Sequence, residues 1–262
     1  IPPDSASEWN KKGFRVKPLW TVAPSQSRGE AGWDDLVDEM HELSRQAVKQ
    51  ALDGHPKWIL PLSSGLDSRL IAGVAAEVGA DAHAYAWGAP DTTDVVNSQK
   101  IARALGFPWK RIDLPKDFLV KYTQRWADLF GSSMHFHGMY QMSFLDEIQS
   151  EPVGPVLSGF IGEVLAGDSV NELSAQHSRP GSCQVQNDWY VHWTPAMTKS
   201  LLRHPVEKNL EVNAAYLKEQ MDILPGTPFQ KFFFLELWSR QRFFTNFQST
   251  LSDYWRGVAN PF

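Results

Sequence analysis

The chain has 262 residues, of which 42% are hydrophobic and 21% charged, with a net charge of −5. That composition suits an enzyme-sized globular core and excludes both a disordered polyelectrolyte and a basic nucleic-acid binder. The single cysteine, Cys183, excludes an internal disulfide and a multi-cysteine zinc site.

Residues 1–30 read as an irregular lead-in, broken by Pro2, Pro3, Pro18 and Pro24, with only 14–16 and 19–22 strand-like. A helix follows. Trp33, Leu36, Val37, Met40, Leu43, Ala47, Val48, Ala51 and Leu52 recur at three- and four-residue steps, and Gly54 and Pro56 end the run. Trp58 to Leu62 is too short for a helix and reads as a strand. It breaks into the polar loop Ser63-Ser64-Gly65-Leu66-Asp67-Ser68, after which Leu70, Ile71, Val74, Ala75 and Val78 return to helical spacing. The unit repeats, with a strand over Ala82 to Trp87, a helix over Asp94 to Leu105 and a strand over Trp109 to Leu114. A helix is expected from Lys116 towards Phe130, then a strand over Val153 to Leu157 and a glycine-containing loop over Ser158 to Gly167. Residues 171–190 form a polar excursion, and 198–203, 207–221 and 229–251 read as helical. Strands alternating with helices imply an α/β fold, a doubly wound parallel sheet with a helical C-terminal part. No apolar run approaches the ~20 residues of a membrane span, and no basic segment leads into an apolar one after Ile1. Neither a span nor a signal peptide is expected, and the chain reads as cytoplasmic.

In open parallel sheets ligands bind beyond the carboxyl ends of the strands, which singles out two loops. The first, Leu62 to Arg69, combines three hydroxyls, a glycine and a carboxylate at a helix start, where backbone N–H groups attract anions. Asp67 would repel a phosphate unless it held a divalent cation. The loop matches neither the Walker pattern, nor the dinucleotide fingerprint, nor a nucleophile elbow, which Pro61 precludes. The same residues also suit an ordinary helix cap at Ser63 or Ser64.

Leu62-Ser63-Ser64-Gly65-Leu66-Asp67-Ser68 resembles the Ser-Gly-Gly-x-Asp-Ser pyrophosphate loop of N-type ATP pyrophosphatases. Later segments narrow the resemblance to the synthetase domain of the asparagine synthetase family, as a divergent member. Ala84 to Gly88 with Asp91 and Asp94, Ile101 to Gly106, Val156 to Gly167, and Arg240-x-Arg242 with Pro261-Phe262 follow the family's segments in order. The resemblance spans about residues 30–262 and implies an adenine nucleotide alpha hydrolase-like fold over 31–262, incomplete at its C-terminal side. It implies ATP-dependent attack of a carboxylate on the α-phosphorus, loss of pyrophosphate, and displacement of AMP by an amine. Ser63, Ser64, Gly65 and Ser68 would hold pyrophosphate. Asp67 and Glu163 would carry Mg²⁺. Leu62, Trp87, Ser158 and Gly159 would contact adenosine or the α-phosphate. The cofactors implied are ATP and Mg²⁺. The partners are a small-molecule or peptide carboxylate and an amine donor, or a glutaminase domain, supplied elsewhere; no nucleic acid and no membrane are expected.

Four departures shape the expected activity. Ser64 stands for a glycine, Glu163 for an aspartate and Phe160 for a glutamate at the acceptor end, which argues against aspartate as substrate. The family's catalytic lysine is expected beyond Phe262, so no catalytic residue is assigned. Two other readings stand beside carboxylate activation: an ATP pyrophosphatase acting on another acceptor, and a degenerate nucleotide-binding or scaffold domain without catalysis. Elsewhere, His135 and His137 read as pocket or core histidines rather than metal ligands, Cys183 as a free thiol, and Arg240 and Arg242 as an ion-paired helix face. Arg179 is a weaker candidate for a phosphate contact.

Overall fold

The computed structural model describes residues 5–18, 32–131, 136–149, 154–160 and 257–259, with single positions 162, 215, 219, 222, 231 and 261. The chain divides into two compact units, Gly29–Ala166 with Phe243–Phe262, and Ile1–Arg28 with Gly167–Arg242.

In the second of these units β1 (Ser5–Asn10) pairs antiparallel with β2 (Gly13–Pro18), Trp9 opposite Phe14 and Asn10 opposite Gly13. A hairpin therefore stands within the expected irregular lead-in. Its turn is built locally: the Asn10 side-chain oxygen accepts the Lys12 N–H at 2.8 Å, and Gly13 takes φ 120°, where a side chain would be strained.

The other unit carries the sheet. Helix α1 (Trp33–Leu52) precedes β3 (Trp58–Pro61), α2 (Leu66–Glu77), β4 (Ala82–Trp87), α3 (Thr93–Leu105), β5 (Trp109–Ile112) and α4 (Phe118–Phe130). A short 3-10 helix (Phe136–Gln141), α5 (Met142–Gln149), β6 (Val156–Leu157) and β7 (Val258–Ala259) follow. Helix α3 ends at Gly106, left-handed at φ 79°, which lets the chain turn back into β5. The strands form one parallel sheet in the order β5-β4-β3-β6-β7.

Side chains alternate along the strands, so each strand feeds two cores. Trp58, Leu60, Ala82 and Ala84 pack with Val48, Ile71, Ala75 and Ala102 from α1, α2 and α3. Ile59, Tyr85 and Ile112 point the other way, towards Tyr122 and Trp126 of α4, Met139 of the 3-10 helix, and Met142 and Leu145 of α5. Helices cover both faces, which makes the sheet doubly wound, as the alternation of elements implies.

The differences in detail have physical causes. Helix α2 begins at Leu66, before the apolar spacing that starts at Leu70, because its first turn belongs to the loop that leads into it. Strand β7 is too short to leave a periodic signal. The helices expected over 198–203, 207–221 and 229–251 fall outside the described residues, apart from single positions.

Candidate functional site

The strand order fixes where a ligand can reach the sheet. From β3 the chain steps outward through β4 to β5, then returns to lay β6 on the opposite side of β3. The strand order thus reverses between β3 and β6, the place where ligands bind in sheets of this kind. The two loops singled out above leave from the carboxyl ends of those two strands.

Leu62 is buried and still tied to the sheet, its N–H donating to the Tyr85 carbonyl at 2.8 Å. Beyond it the loop folds on its own hydroxyls. The Ser63 N–H donates to Ser68 Oγ at 3.2 Å, the two hydroxyls lie 3.1 Å apart, and the Gly65 N–H donates to Ser63 Oγ at 3.1 Å. Ser64 turns outward. Its N–H and its hydroxyl both donate to Asp94 Oδ1, at 2.9 and 2.5 Å.

Helix α2 starts with Gly65 as its N-cap and no side-chain cap. The ordinary cap considered for Ser63 or Ser64 is thus not how this helix begins, because both hydroxyls are engaged within the loop or with Asp94. The first N–H groups of α2 are left to whatever binds there, and the helix dipole favours an anion. Asp67 lies in this first turn, half-buried.

The second loop is seated on that turn. A Cβ on Gly159 would lie 2.8 Å from the Asp67 carbonyl oxygen and 3.0 Å from the Ser68 nitrogen, so only glycine lets the two backbones approach. Ser158 is fixed on both sides. Its N–H donates to the Ala259 carbonyl of β7 at 2.8 Å, and its Oγ accepts the Phe160 N–H at 3.1 Å. Trp87 ends β4, half-buried, its ring 5.0 Å from Phe144 and 6.2 Å from Tyr140. Gly88 follows at φ 131°, its carbonyl held by Arg111 at 2.9 Å.

Thus the loop of Ser63, Ser64, Gly65, Asp67 and Ser68 meets the loop of Ser158 and Gly159, with Leu62 buried at the start of the first and Trp87 at the end of the adjacent strand. Glu163, His135, Arg179, Cys183, Arg240 and Arg242 lie outside the described residues, and so does the side chain of His137. Among the described residues no three histidine, cysteine, aspartate or glutamate side chains group as a metal site, and no helix is long and apolar enough to cross a membrane. Asp94 is the contact that reading the sequence for this site passed over. The acidic character of the 91–94 turn was visible, but not the residue that it reaches, 30 positions earlier.

The sequence profile of asparagine synthase matches residues 39–223, which is well over half of the chain. No curated protein matches significantly. Among solved structures, a glutamine-dependent NAD+ synthetase from Acinetobacter baumannii in complex with adenosine diphosphate is similar at 19% identity and a TM-score of 0.37, over 62% of this chain and 31% of that one. An NH3-dependent NAD synthetase from Campylobacter jejuni subsp. jejuni in complex with the nitrate ion is similar at 13% identity and a TM-score of 0.39, over 82% of this chain and 96% of that one. The chain thus spans less than a third of the length of the Acinetobacter synthetase.

Proposed function

Because the chain belongs to the asparagine synthase family, we propose that it uses ATP to activate a carboxylate as an acyl-adenylate, which an amine then converts to an amide. One observation carries the reading. The uncapped start of α2 and the Gly159 backbone meet at the switch point of a parallel sheet, where a polyphosphate would find the first N–H groups of α2.

The roles follow from chemistry. The hydroxyls of Ser63 and Ser68 can rotate from each other to a phosphate at little cost, since each exchanges one hydrogen bond for another. With the first turn of α2 behind Gly65, they would hold the β- and γ-phosphates, while the Ser64 N–H and hydroxyl are taken by Asp94. Charge builds on pyrophosphate as its bond to the α-phosphorus breaks, and donors fixed in advance lower that barrier. Asp67 offers hard carboxylate oxygen beside the loop and, with Glu163, is the donor set that suits Mg²⁺. The ion would supply charge neutralisation on the leaving group. The Leu62 backbone, Trp87, Ser158 and Gly159 would line the adenosine and α-phosphate end. The carboxylate oxygen attacks the α-phosphorus, and pyrophosphate departs. The amine nitrogen then attacks the acyl carbon, loses its proton and releases AMP.

Phe160 stands within the second loop, where the family carries a glutamate, which supports an acceptor other than aspartate. The acceptor would be a small-molecule or peptide carboxylate. The amine, or the ammonia source, would come from elsewhere.

Calorimetry with ATP tests the nucleotide half of this reading. Binding should be strong with Mg²⁺ and weak without it; no binding with Mg²⁺ present would overturn the proposal. ATP–pyrophosphate exchange across a panel of carboxylates tests the chemistry. Exchange that depends on one carboxylate class supports it, whereas ATP binding without exchange for any carboxylate returns the chain to a nucleotide-binding domain.

A further inference from the structure

Ser64 is the loop position at which the sequence leaves the family pattern, and the structure gives its hydroxyl a partner. Asp94, in the first turn of α3, accepts from the Ser64 N–H at 2.9 Å and from its Oγ at 2.5 Å. Both bonds end on the same carboxylate oxygen. They reach across from the helix that follows β4 to the loop that follows β3, so they tie together two neighbouring connections of the sheet.

We infer that Asp94 is a positioning residue for the pyrophosphate-binding loop, and that Ser64 and Asp94 form a clasp that fixes the direction of the Ser64–Gly65 backbone. The inference rests on the proposed function above. The physical argument has three steps. A glycine at position 64 would offer one donor to Asp94, whereas serine offers two, and two bonds to one oxygen fix both the peptide and χ1 of the side chain. A carboxylate is a poor direct partner for phosphate, so Asp94 acts through Ser64 rather than on the ligand. And the loop's other bonds, among Ser63, Gly65 and Ser68, are internal to it. Among the described residues, the hydrogen bonds that hold it from outside are the Leu62 tie to Tyr85 and this clasp. A loop fixed in advance loses less conformational entropy when it closes on a polyphosphate.

The test separates pyrophosphate binding from nucleoside binding. Affinities for magnesium pyrophosphate and for AMP are measured by calorimetry on the whole chain and on Asp94→Ala, Asp94→Asn, Ser64→Ala and the double Ser64→Ala/Asp94→Ala variant. Loss of a charge-assisted hydrogen bond should weaken pyrophosphate about tenfold in Asp94→Ala while AMP affinity stays within about twofold. Asn keeps an acceptor oxygen and should recover most of that loss. Ser64→Ala should lose about threefold, and the double variant should lose less than the product of the two single losses, as contacting partners do. Pyrophosphate affinity unchanged or tightened in Asp94→Ala, AMP weakened as much as pyrophosphate, no recovery with Asn, or strictly multiplicative losses would each overturn the clasp. If Asp94→Ala does not fold, the Ser64→Ala split between pyrophosphate and AMP decides the matter alone. Failure of the unsubstituted chain to bind either ligand overturns the proposed function instead, which keeps the two claims apart.

Discussion

At the residue scale the site depends on two positions with different demands. Gly159 answers a steric demand. Any side chain there meets the Asp67 carbonyl at 2.8 Å, and a backbone atom cannot swing away as a side-chain tip could. Gly159→Ala should cost about 1–3 kcal/mol in urea unfolding and weaken Mg-ATP binding, because the shift falls on the first turn of α2. Asp67 answers an electrostatic demand. Asp67→Asn keeps shape and removes charge, so the fold should hold while ATP affinity becomes indifferent to Mg²⁺. If calorimetry shows the magnesium dependence intact in that variant, Asp67 is not a metal ligand. Gly159 and Asp67 were both legible in the sequence as motif positions. What the sequence could not show is that they touch, because the contact spans 92 residues of chain (159 − 67) and depends on β6 landing beside β3.

At the element scale, legibility follows length and periodicity. Helix α1 matches its apolar spacing end to end, since a long stripe constrains both phase and ends, and α3 and α4 begin within two residues of their expected starts. Strands of two residues carry no such information, and β7 is found only by its pairing with β6. The stripe on α1 also shows where periodicity overstates burial. Val48 is fully buried against the sheet, whereas Trp33 is 79% exposed and Met40 50%. Val48→Ala should therefore cost about 1–2 kcal/mol, and Met40→Gln within about 0.5 kcal/mol of nothing, both by urea midpoint. A second tie between elements is electrostatic. Tyr122 of α4 donates to Asp146 Oδ2 of α5 at 2.8 Å, and Lys121 donates to the same phenol at 2.9 Å. That hydrogen bond to Tyr122 raises the Lys121 pKa above its ordinary 10.5. A raised lysine adds stability that is whole below the ordinary value and fades as pH climbs through the raised one. The ammonium is exposed, so the effect is small. The difference in urea midpoint between the unsubstituted chain and Lys121→Met should be constant from about pH 6 to 9 and shrink as pH rises past the ordinary lysine value. A difference that grows with pH would contradict this sign.

At the scale of the whole molecule, the C-terminal strand links fold and site. Residues 243–262 return to the unit that holds the sheet, and β7 lays its backbone along β6. The Gly257 and Ala259 carbonyls accept from Val156 at 3.0 Å and Ser158 at 2.8 Å, so the start of the Ser158–Gly159 loop is held from a segment about 100 residues further along. In an extended strand the N–H and C=O of one residue point to the same neighbour. The Ala259 N–H therefore faces β6 as its carbonyl does, and Ala259→Pro removes a ladder bond there. It should cost about 1–3 kcal/mol for the partner left unmet, and it should also weaken Mg-ATP, because Ser158 and Gly159 lose their anchor. Val48→Ala supplies the comparison. It lowers stability by a similar amount from the core between α1 and the sheet, with no bond to either loop, so its Mg-ATP affinity should stay unchanged. If both variants weaken Mg-ATP in proportion to lost stability, β7 matters to the site only as it matters to the fold. If Ala259→Pro alone does so, the strand positions the loop.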